Sequence, residues 1–324
     1  MRYSFIKEHL KQFRLAALCR VLRVSKSGYF AWLKRPESPR ARQNRALVTQ
    51  LKAVHTRSRG TYGRCRVHAA LQAQGTPCSK NRVARLMRQE GLWGRRRRAF
   101  KATTNSKHSF PVAQNLLARD FTATAPDQVW VSDITYLPVE EGWEYLATVM
   151  DLHSRRIVGW AMQSTLERSL TLRALEMAIA QRQPGPGLIH HSDRGVQYAC
   201  FDYQAALARQ GIVPSMSRKG DCWDNAPMES FYGTLKCELV HDWSRPPRAQ
   251  ARREVFEYLE VFYNRQRLHS SLGYQSPVAY ERQSKSAAGG LARCPSFRGQ
   301  INPMAGMAAP KTNPETMATA GISQ

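Results

Sequence analysis

Three acidic side chains stand where a carboxylate could take part in chemistry. Asp133 lies in the middle of a predicted strand, WVSDITY, on the same face as Val131 and Thr135. Burial of a carboxylate there is costly unless something compensates its charge. Asp193 ends a predicted strand in HHSDRG, and Glu229 lies one turn into a predicted helix in DNAPMESFYGTLK. Each acid also has an ordinary structural interpretation: a salt bridge for Asp133, a turn for Asp193 and a favourable helix start for Glu229.

Taken together, the three carboxylates indicate a metal centre. Carboxylate oxygens are hard ligands that suit Mg²⁺ or Mn²⁺. Two such ions about 3.5–4 Å apart can align the attacking and leaving oxygens at a phosphorus atom. Clustered acids repel one another, and bound cations remove that penalty. His190 and His191 could suggest zinc instead, but neighbouring side chains on a strand point to opposite faces and cannot simply share one metal.

The elements that position these acids form a predicted mixed α/β sheet. Short connections between β-branched and aromatic runs predict an antiparallel meander of QVWVSDITYLPV, WEYLATVMDL and RRIVGWAMQS. A capping box from Ser164 to Glu167 predicts the start of the next helix. Two further strands, GLIHHSD and VPSMS, alternate with helices, and Asp224 or Asn225 begins the helix that carries Glu229.

The net charge of +25 is confined to the first third of the chain. Residues 1–119 contain 28 Lys and Arg against 3 Asp and Glu, whereas residues 120–324 contain 21 of each kind. This asymmetry is typical of a polyanion-binding arm attached to an ordinary globular body. A solvated surface or a membrane-surface segment explains it less well, because few acids interrupt the arm and its aromatic residues form no long apolar stripe.

Two helix-turn-helix units are predicted within the basic arm. In the first, Leu15, Leu18 and Leu22 recur at helical spacing, and Ser25 or Ser27 begins a second helix. This arrangement of two short helices joined by a tight turn suggests a DNA-binding unit, although helical hairpins are also common in protein cores.

The second unit pairs the predicted helix RCRVHAALQA with one that begins at Ser79. Arg82 and Arg85 lie on the face of that second helix opposite its apolar residues, where they could contact DNA. A basic run follows, for which a solvated linker is the alternative interpretation: Arg95, Arg96, Arg97 and Arg98. Such a run contacts phosphates without reading sequence.

Length and composition exclude several classes of protein. A chain of 324 residues predicts two or three domains, and its 42% hydrophobic content suffices for a core. No apolar run reaches the roughly 18–20 residues of a membrane helix, and the N-terminus lacks the apolar stretch of a secretion signal. The seven cysteines form no CxxC pair, which favours a reducing, cytoplasmic environment.

In combination, these motifs resemble a known family. WVSDITY, HSDRGVQY and DNAPMESFYGTLK, with 35 residues between Asp193 and Glu229, resemble the DDE triad of bacterial insertion-sequence transposases with a retroviral-integrase-like core. More narrowly, the chain resembles the second-frame (OrfB-type) product of the family that makes its transposase by programmed frameshifting. Further matches over residues 1–282 are Lys236, Tyr263-Asn264, Arg267, His269 and Ser276-Pro277. The tail after about residue 284 departs from the family pattern, and the leucine-zipper segment of the upstream frame is not found.

The resemblance implies an RNase H-like fold and metal-dependent strand cleavage followed by 3′-OH strand transfer at insertion-sequence ends. It implies two Mg²⁺ or Mn²⁺ ions, with Asp133 bridging both and Asp193 and Glu229 each holding one. Lys236 is then expected to contact DNA near the cut. Asp151 and Asp224 are the acids most easily mistaken for triad members, and we assign them a turn and a helix cap. His269 either orients a carboxylate or phosphate, or is a core histidine.

The expected fold class is α/β, an RNase H-like mixed five-stranded sheet with flanking helices after a helical N-terminal region. We predict four regions: a helix-turn-helix-like segment at 1–36, a second DNA-binding region and basic linker at 37–100, the catalytic core at 120–282, and a disordered tail at 283–324. Expected partners are double-stranded DNA, further copies of the chain on DNA and the upstream-frame product, with no membrane. We expect the protein in the bacterial cytoplasm, associated with the nucleoid. The alternatives to a transposase are a DNA-binding regulator and a nuclease of RNase H type.

Overall fold

The computed structural model describes residues 2–95, 110–219 and 221–291. The chain divides into two units, Met1–Ser284 and Lys285–Gln324, and only the first residues of the second unit are described. The predicted basic residues Arg96, Arg97 and Arg98, and the tail from residue 292, lie outside the described residues.

The sheet opens with the antiparallel meander that the sequence predicts. Its strands are β1 (Val129–Val139), β2 (Gly142–Asp151) and β3 (Ile157–Gln163), each paired with the next. Two parallel strands follow, β4 (Ile189–Ser192) beside β1 and β5 (Val213–Met216) beside β4. The order β3-β2-β1-β4-β5 is the mixed five-stranded arrangement of an RNase H-like fold, which confirms the predicted fold class.

Helices precede the sheet and cover both of its faces. Those before the sheet are α1 (Arg2–His9), α2 (Leu15–Val21), α3 (Lys26–Lys34), α4 (Pro39–Arg57), α5 (Arg64–Ala73) and α6 (Lys80–Gln89). Those within and after it are α7 (Arg168–Arg182), α8 (Val196–Ala199), α9 (Phe201–Arg209), α10 (Ala226–Glu238), α11 (Arg248–Phe256) and α12 (Pro277–Leu291). A π-helical segment, Glu257–Tyr263, continues α11.

Side-chain alternation along β1 divides the core between the two faces of the sheet. Val131 and Leu137 pack in one apolar cluster with Phe231 of α10, whereas Trp130 packs in another with Leu170 of α7. Because residues two apart on a strand share a face, Asp133 lies on the α10 side.

The N-terminal helices form two groups of three, α1–α3 and α4–α6. In each group a serine caps the last helix. Helices α1–α3 enclose a small apolar cluster of their own, and the Ser25 hydroxyl accepts from the Gly28 N–H at 2.9 Å to cap α3. Helices α4–α6 pack instead in the cluster on the α10 side of the sheet. The Ser79 hydroxyl accepts from the Arg82 N–H at 3.2 Å and caps α6. Both predicted helix pairs are therefore present.

Two local predictions about helix starts are wrong. The capping box does not form, because Glu167 is itself the N-cap residue of α7 and its carboxylate accepts from the Thr165 hydroxyl at 2.8 Å. Asp224 does not cap α10, since its carboxylate binds Arg218; the other candidate, Asn225, is the N-cap residue. Helix α12 also extends beyond residue 282, into the segment predicted as tail. Within the described ranges, no helix is long and apolar enough to cross a membrane.

Gly159 allows β3 to approach α7 closely. A Cβ atom at this position would lie 2.2 Å from the Ala174 carbonyl oxygen and 2.7 Å from the Ala178 nitrogen. Since these are backbone atoms, Gly159→Ala should force the helix from the sheet and lower the free energy of unfolding by about 1–3 kcal/mol. Urea denaturation measures this loss. Gly185→Ala, where nothing lies within 4 Å, is the matched control and should change stability by less than about 0.5 kcal/mol. Equal effects of the two substitutions would contradict the packing argument.

Candidate active site

The parallel pairing of β1 with β4 brings Asp133 close to Asp193, at the carboxyl end of β4. Val131 lies opposite His191 in this register. Each aspartate follows two residues later, Asp133 within β1 and Asp193 just beyond the end of β4, and their charges interact. Asp193 lies in the turn after β4, where its Oδ1 accepts from the Gly195 N–H at 2.9 Å.

Helix α10 is fastened to β1 beside Asp133. The Asn225 amide nitrogen donates to the Ser132 carbonyl at 3.0 Å, and the Tyr232 hydroxyl donates to the Asp133 carbonyl at 2.5 Å. Glu229 lies between these two contacts, three residues before Tyr232 and therefore on the same side of the helix. Glu229 consequently faces the part of the sheet that carries Asp133 and Asp193.

The charges of the three acids influence one another. Burial raises the pKa of Asp133 well above its usual range, and the neighbouring carboxylates of Asp193 and Glu229 raise it further. The Ile134 N–H and the Lys236 ammonium act in the opposite direction on this pKa. The structure thus brings together the three acids that the sequence singles out, although, within the described part of the chain, no group of three His, Cys, Asp or Glu side chains is arranged as it stands to hold a metal ion.

Lys236 lies on the same side of α10 as Glu229, two turns further along. Its ammonium nitrogen is 4.7 Å from the centre of the Tyr136 ring. Burial lowers the pKa of Lys236 to about 8, while the carboxylate of Asp133 acts to raise it. Lys236 is therefore a half-buried cation beside the carboxylates rather than an outlying surface lysine.

The predicted DNA-binding arginines differ in their surroundings. Arg85 is exposed on α6, whereas the Arg82 guanidinium is half-buried and donates to the Asn44 side chain at 2.9 Å. Arg95 forms an ion pair with Asp242 and donates to the Cys237 carbonyl at 3.4 Å. Arg95 therefore has an intramolecular partner, unlike a residue of a freely solvated run.

Comparison with known proteins places the chain in a family. Residues 123–222 and 210–277 match two models of an integrase core domain, and residues 42–100 match a helix-turn-helix-like domain. The chain is 42% identical over 286 residues to the transposase InsF of insertion sequence IS3A from Escherichia coli K12, covering 88% of this chain and 99% of that protein. The chain belongs to the insertion-sequence transposases. It is a DNA transposase of the DDE type, which confirms the resemblance seen in the sequence.

Other similarities extend to a second element and to viral proteins. The transposase is 46% identical over 266 residues to the 31 kDa protein of insertion element IS600 from Shigella sonnei, covering 82% of this chain and 98% of that protein. A simian T-cell lymphotropic virus intasome chain is 15% identical, with a TM-score of 0.42 and coverage of 80% of each chain. The HTLV-2 integrase catalytic core, solved with magnesium, is 15% identical with a TM-score of 0.39, covering 49% of this chain and 99% of that one.

The other acids near the site of the transposase have structural partners. Asp224 accepts from the Arg218 guanidinium at 2.7 and 2.9 Å and from the Asn115 amide at 2.9 Å. The Arg218 guanidinium is the main reason that the pKa of Asp224 is far below its usual range. Asp151 accepts from the backbone and hydroxyl of Ser154 at 2.9 and 2.8 Å, which is the turn role predicted for it. Asp224 and Asp151 are therefore engaged in structural contacts and do not belong with the three candidate catalytic acids.

His190 and His191 lie on opposite faces and bind different partners, as strand geometry predicts. His190 Nε2 is 2.8 Å from the Ser132 hydroxyl and 3.0 Å from the Tyr203 hydroxyl. His191 Nδ1 is 2.8 Å from the Ser215 hydroxyl. Both rings are buried and hydrogen-bonded side chains of the core, and they do not share a ligand position.

Acidification should destabilise the transposase through His190. Burial lowers the pKa of this ring from 6.5 to about 3 in the folded chain. Below pH 6.5 the unfolded chain therefore binds a proton that the folded chain does not, and the stability contribution falls until the pH reaches the folded-state pKa. Between pH 6.5 and pH 5, wild type should lose about 2 kcal/mol more than His190→Gln in urea denaturation. The exposed His241→Gln should lose as much as wild type; the same loss in His190→Gln would contradict the argument.

Several residues that shape the site were not recognised as site residues in the sequence, although Asn225 was named there as a possible helix start. Tyr232, Asn225 and Gly195 hold α10 and the Asp193 turn, and a Cβ on Gly195 would lie 2.9 Å from Asp193 Oδ1. Tyr198 is buried near Asp133 and Asp193, which both raise the pKa of its phenol further after burial. The only available signal was proximity, since Gly195 follows Asp193 by two positions and the other two flank Glu229 within one helical turn.

Proposed function

We propose that the transposase performs metal-dependent strand cleavage and 3′-OH strand transfer at the ends of an insertion sequence, with Asp133, Asp193 and Glu229 as its catalytic carboxylates. The observation that carries this proposal is the convergence of the three acids: α10, which bears Glu229, is hydrogen-bonded to β1 beside Asp133, and, after burial, the charges of Asp193 and Glu229 raise the pKa of Asp133. Such a cluster is favourable when a cation compensates it.

The donor set suits a hard divalent cation. All three groups are carboxylates, the ligands that Mg²⁺ and Mn²⁺ prefer. Asp133 would be shared between two ions, with Asp193 and Glu229 each holding one. When bound, such a pair of ions supplies charge stabilisation at the attacking and leaving oxygens of an in-line displacement at phosphorus.

Two reactions at one site account for transposition. In the first, a water oxygen forms a bond to phosphorus at the element end, and the bond from phosphorus to the 3′ oxygen breaks, which frees a 3′-OH. In the second, that 3′-OH forms a bond to a target phosphorus and displaces the 3′ oxygen there. Lys236, whose cationic side chain lies beside Asp133, would hold a DNA phosphate near the cut.

The basic N-terminal arm would bind the DNA. We assign residues 1–36 and 37–100 to two DNA-binding regions, residues 120–282 to the catalytic core and residues 283–324 to a tail. Arg82 and Arg85, together with the run Arg95, Arg96, Arg97 and Arg98, would contact phosphates. The ion pair of Arg95 with Asp242 would have to exchange for such a contact. Because two element ends must be held together, we propose that several copies assemble on DNA, with the upstream-frame product as a further partner at the nucleoid.

A joining assay tests the proposal. The full chain is incubated with Mg²⁺, a labelled duplex that contains an element end and a circular target, alone and with the upstream-frame segment fused. Products joined to the target are the expected result. Cut products without joining would identify a nuclease instead, and binding without either product would identify a regulator; both outcomes contradict the proposal.

A further inference from the structure

A basic pocket lies on another face of α10, apart from the three acids. The cavity measures about 340 Å³, and its walls come from α5, the turn after β2, α10 and the segment around Tyr263–Ser271. Three arginines line it, Arg66, Arg155 and Arg267, and among the described residues that line it there is no Asp or Glu. Several hydroxyl groups complete the lining, including those of Thr234, Ser270 and Ser271.

Only one of these three guanidinium groups is neutralised by an acid. Arg267 is buried and forms two hydrogen bonds of 2.7 Å with the Glu238 carboxylate. The Arg66 guanidinium donates to the Leu268 carbonyl at 2.9 Å, a neutral group. Arg155 makes no hydrogen bond or ion pair with any side chain or backbone group in the described ranges. The pocket consequently holds about two positive charges beyond those that Glu238 neutralises.

The surroundings of Arg155 are costly for the folded chain. Burial lowers the pKa of Arg155, because its charge is partly removed from water; the Tyr263 phenol and the Asp151 carboxylate act in the opposite direction. Asp151, however, is occupied with the backbone of Asp127 and with Ser154. The backbone of Arg155 also has a φ of +60°, a conformation that non-glycine residues rarely adopt. Strained and partly desolvated groups of this kind concentrate at binding sites.

The positive charges of the three arginines all influence one side chain, His269. His269 lies in the wall of the pocket, and after burial, Arg267, Arg66 and Arg155 all lower the pKa of its ring. The ring is therefore neutral, and the cationic character of the pocket comes from guanidinium groups alone. Guanidinium groups bind phosphate oxygens through paired hydrogen bonds, and hydroxyl groups add further donors.

We propose that this pocket binds a phosphate group, namely a backbone phosphodiester of the DNA strand engaged at the three acids. The inference rests on the proposed function, since it takes DNA as the ligand. Ser270 and Ser271 are exposed at the mouth, and Arg66 and Arg155 are half-buried, so both guanidinium groups are partly accessible. Helix α10 separates the pocket from Glu229, and its width of about 10 Å corresponds to roughly three nucleotides of strand rise. A strand that crosses α10 can therefore occupy both places.

DNA affinity measured as a function of salt tests the assignment without any chemistry. The full chain is titrated with an element-end duplex in the presence of a chelator, and the logarithm of affinity is plotted against the logarithm of salt concentration. Arg155→Gln and Arg66→Gln should each reduce the slope by about 0.9, the value for one lost phosphate contact. Arg173→Gln, at an exposed position of α7, is the matched control and should leave the slope unchanged. An unchanged slope in both pocket variants would overturn the proposal.

A rim variant covers the case in which a pocket variant fails to fold. Ser271→Asp places a negative charge at an exposed position of the mouth and should weaken DNA binding at low salt, whereas Ser271→Ala should not. Equal affinities of these two variants would count against a DNA phosphate in the pocket.

Inorganic phosphate distinguishes a DNA site from a site for a free anion. If phosphate raises the unfolding temperature of wild type but not of Arg155→Gln, while the salt slopes for DNA agree, the pocket takes a free anion and the DNA assignment is wrong. The slopes are measured without metal, so they do not depend on catalysis by the three acids. If the pocket variants have the salt slope of wild type and wild type joins DNA, only this inference is overturned. If the pocket variants have reduced slopes but wild type does not join DNA, only the catalytic proposal is overturned.

Discussion

Asp133→Asn should abolish strand joining while it leaves DNA affinity nearly unchanged. The substitution keeps the shape of the side chain but removes the charge that would be shared between two cations. Loss of about 4 kcal/mol of transition-state stabilisation lowers a rate about a thousandfold, and we expect at least that reduction in joined product. DNA affinity should persist because we propose that the basic arm, with 28 Lys and Arg in residues 1–119, supplies most phosphate contacts.

The same variant should be at least as stable as wild type in metal-free buffer at neutral pH. Burial and the acids Asp193 and Glu229 raise the pKa of Asp133, so the folded chain favours the uncharged carboxyl group, which Asn imitates. Asp202→Asn, at an exposed acid of α9, is the control and should join DNA normally. Normal joining by Asp133→Asn would remove this residue from the site, and loss of stability together with activity would show a structural role.

Arg267→Met should cost about 3–5 kcal/mol of unfolding free energy, the largest stability effect that we expect. Both side chains of the Arg267–Glu238 pair are about 5% exposed, and removal of one partner leaves a buried charge without compensation. Among the described residues, the Tyr258 hydroxyl, which donates to Glu238 at 2.9 Å, would remain as its hydrogen-bond donor. Urea denaturation followed by circular dichroism measures the loss.

A double substitution separates the uncompensated charge from the loss of packing. Glu238→Gln combined with Arg267→Met should recover much of the stability lost in the single variant, because the buried carboxylate that Arg267 compensated is then no longer charged. Arg265→Met, at an exposed neighbouring position, should be nearly neutral. If the double variant is no more stable than Arg267→Met, lost packing rather than the stranded carboxylate explains the effect.

Strand periodicity was sufficient to place Asp133 on its face of the sheet. A period of two assigned Asp133 to the face of Val131, and the structure packs that face against α10. The predicted strands also gave the antiparallel meander correctly, because short connections leave few alternatives. Strand periodicity and short connections therefore sufficed to predict most of the fold of the sheet.

Interactions between distant segments could not be predicted in the same way. Asp224 follows the rules for a helix cap, but Arg218 and Asn115 offer its carboxylate stronger partners that only the folded chain brings near. Arg95 reads as part of a solvated run until the fold places Asp242 beside it. The arginine pocket joins positions about 200 residues apart, as the contact of Arg66 with Leu268 shows, and no local pattern encodes it.

The hydroxyl of Tyr232 links the backbone of Asp133 with the Thr148 side chain on β2, 2.5 and 2.9 Å away. Hydrogen bonds thus join β1, which bears Asp133, and β2 to α10, which bears Glu229. Asp193 belongs to a turn and is held locally by the Gly195 N–H. The spacing between Asp193 and the other two acids therefore depends on the conformation of the short segment after β4, whereas the hydrogen bonds of Tyr232 and Asn225 set the spacing between Asp133 and Glu229.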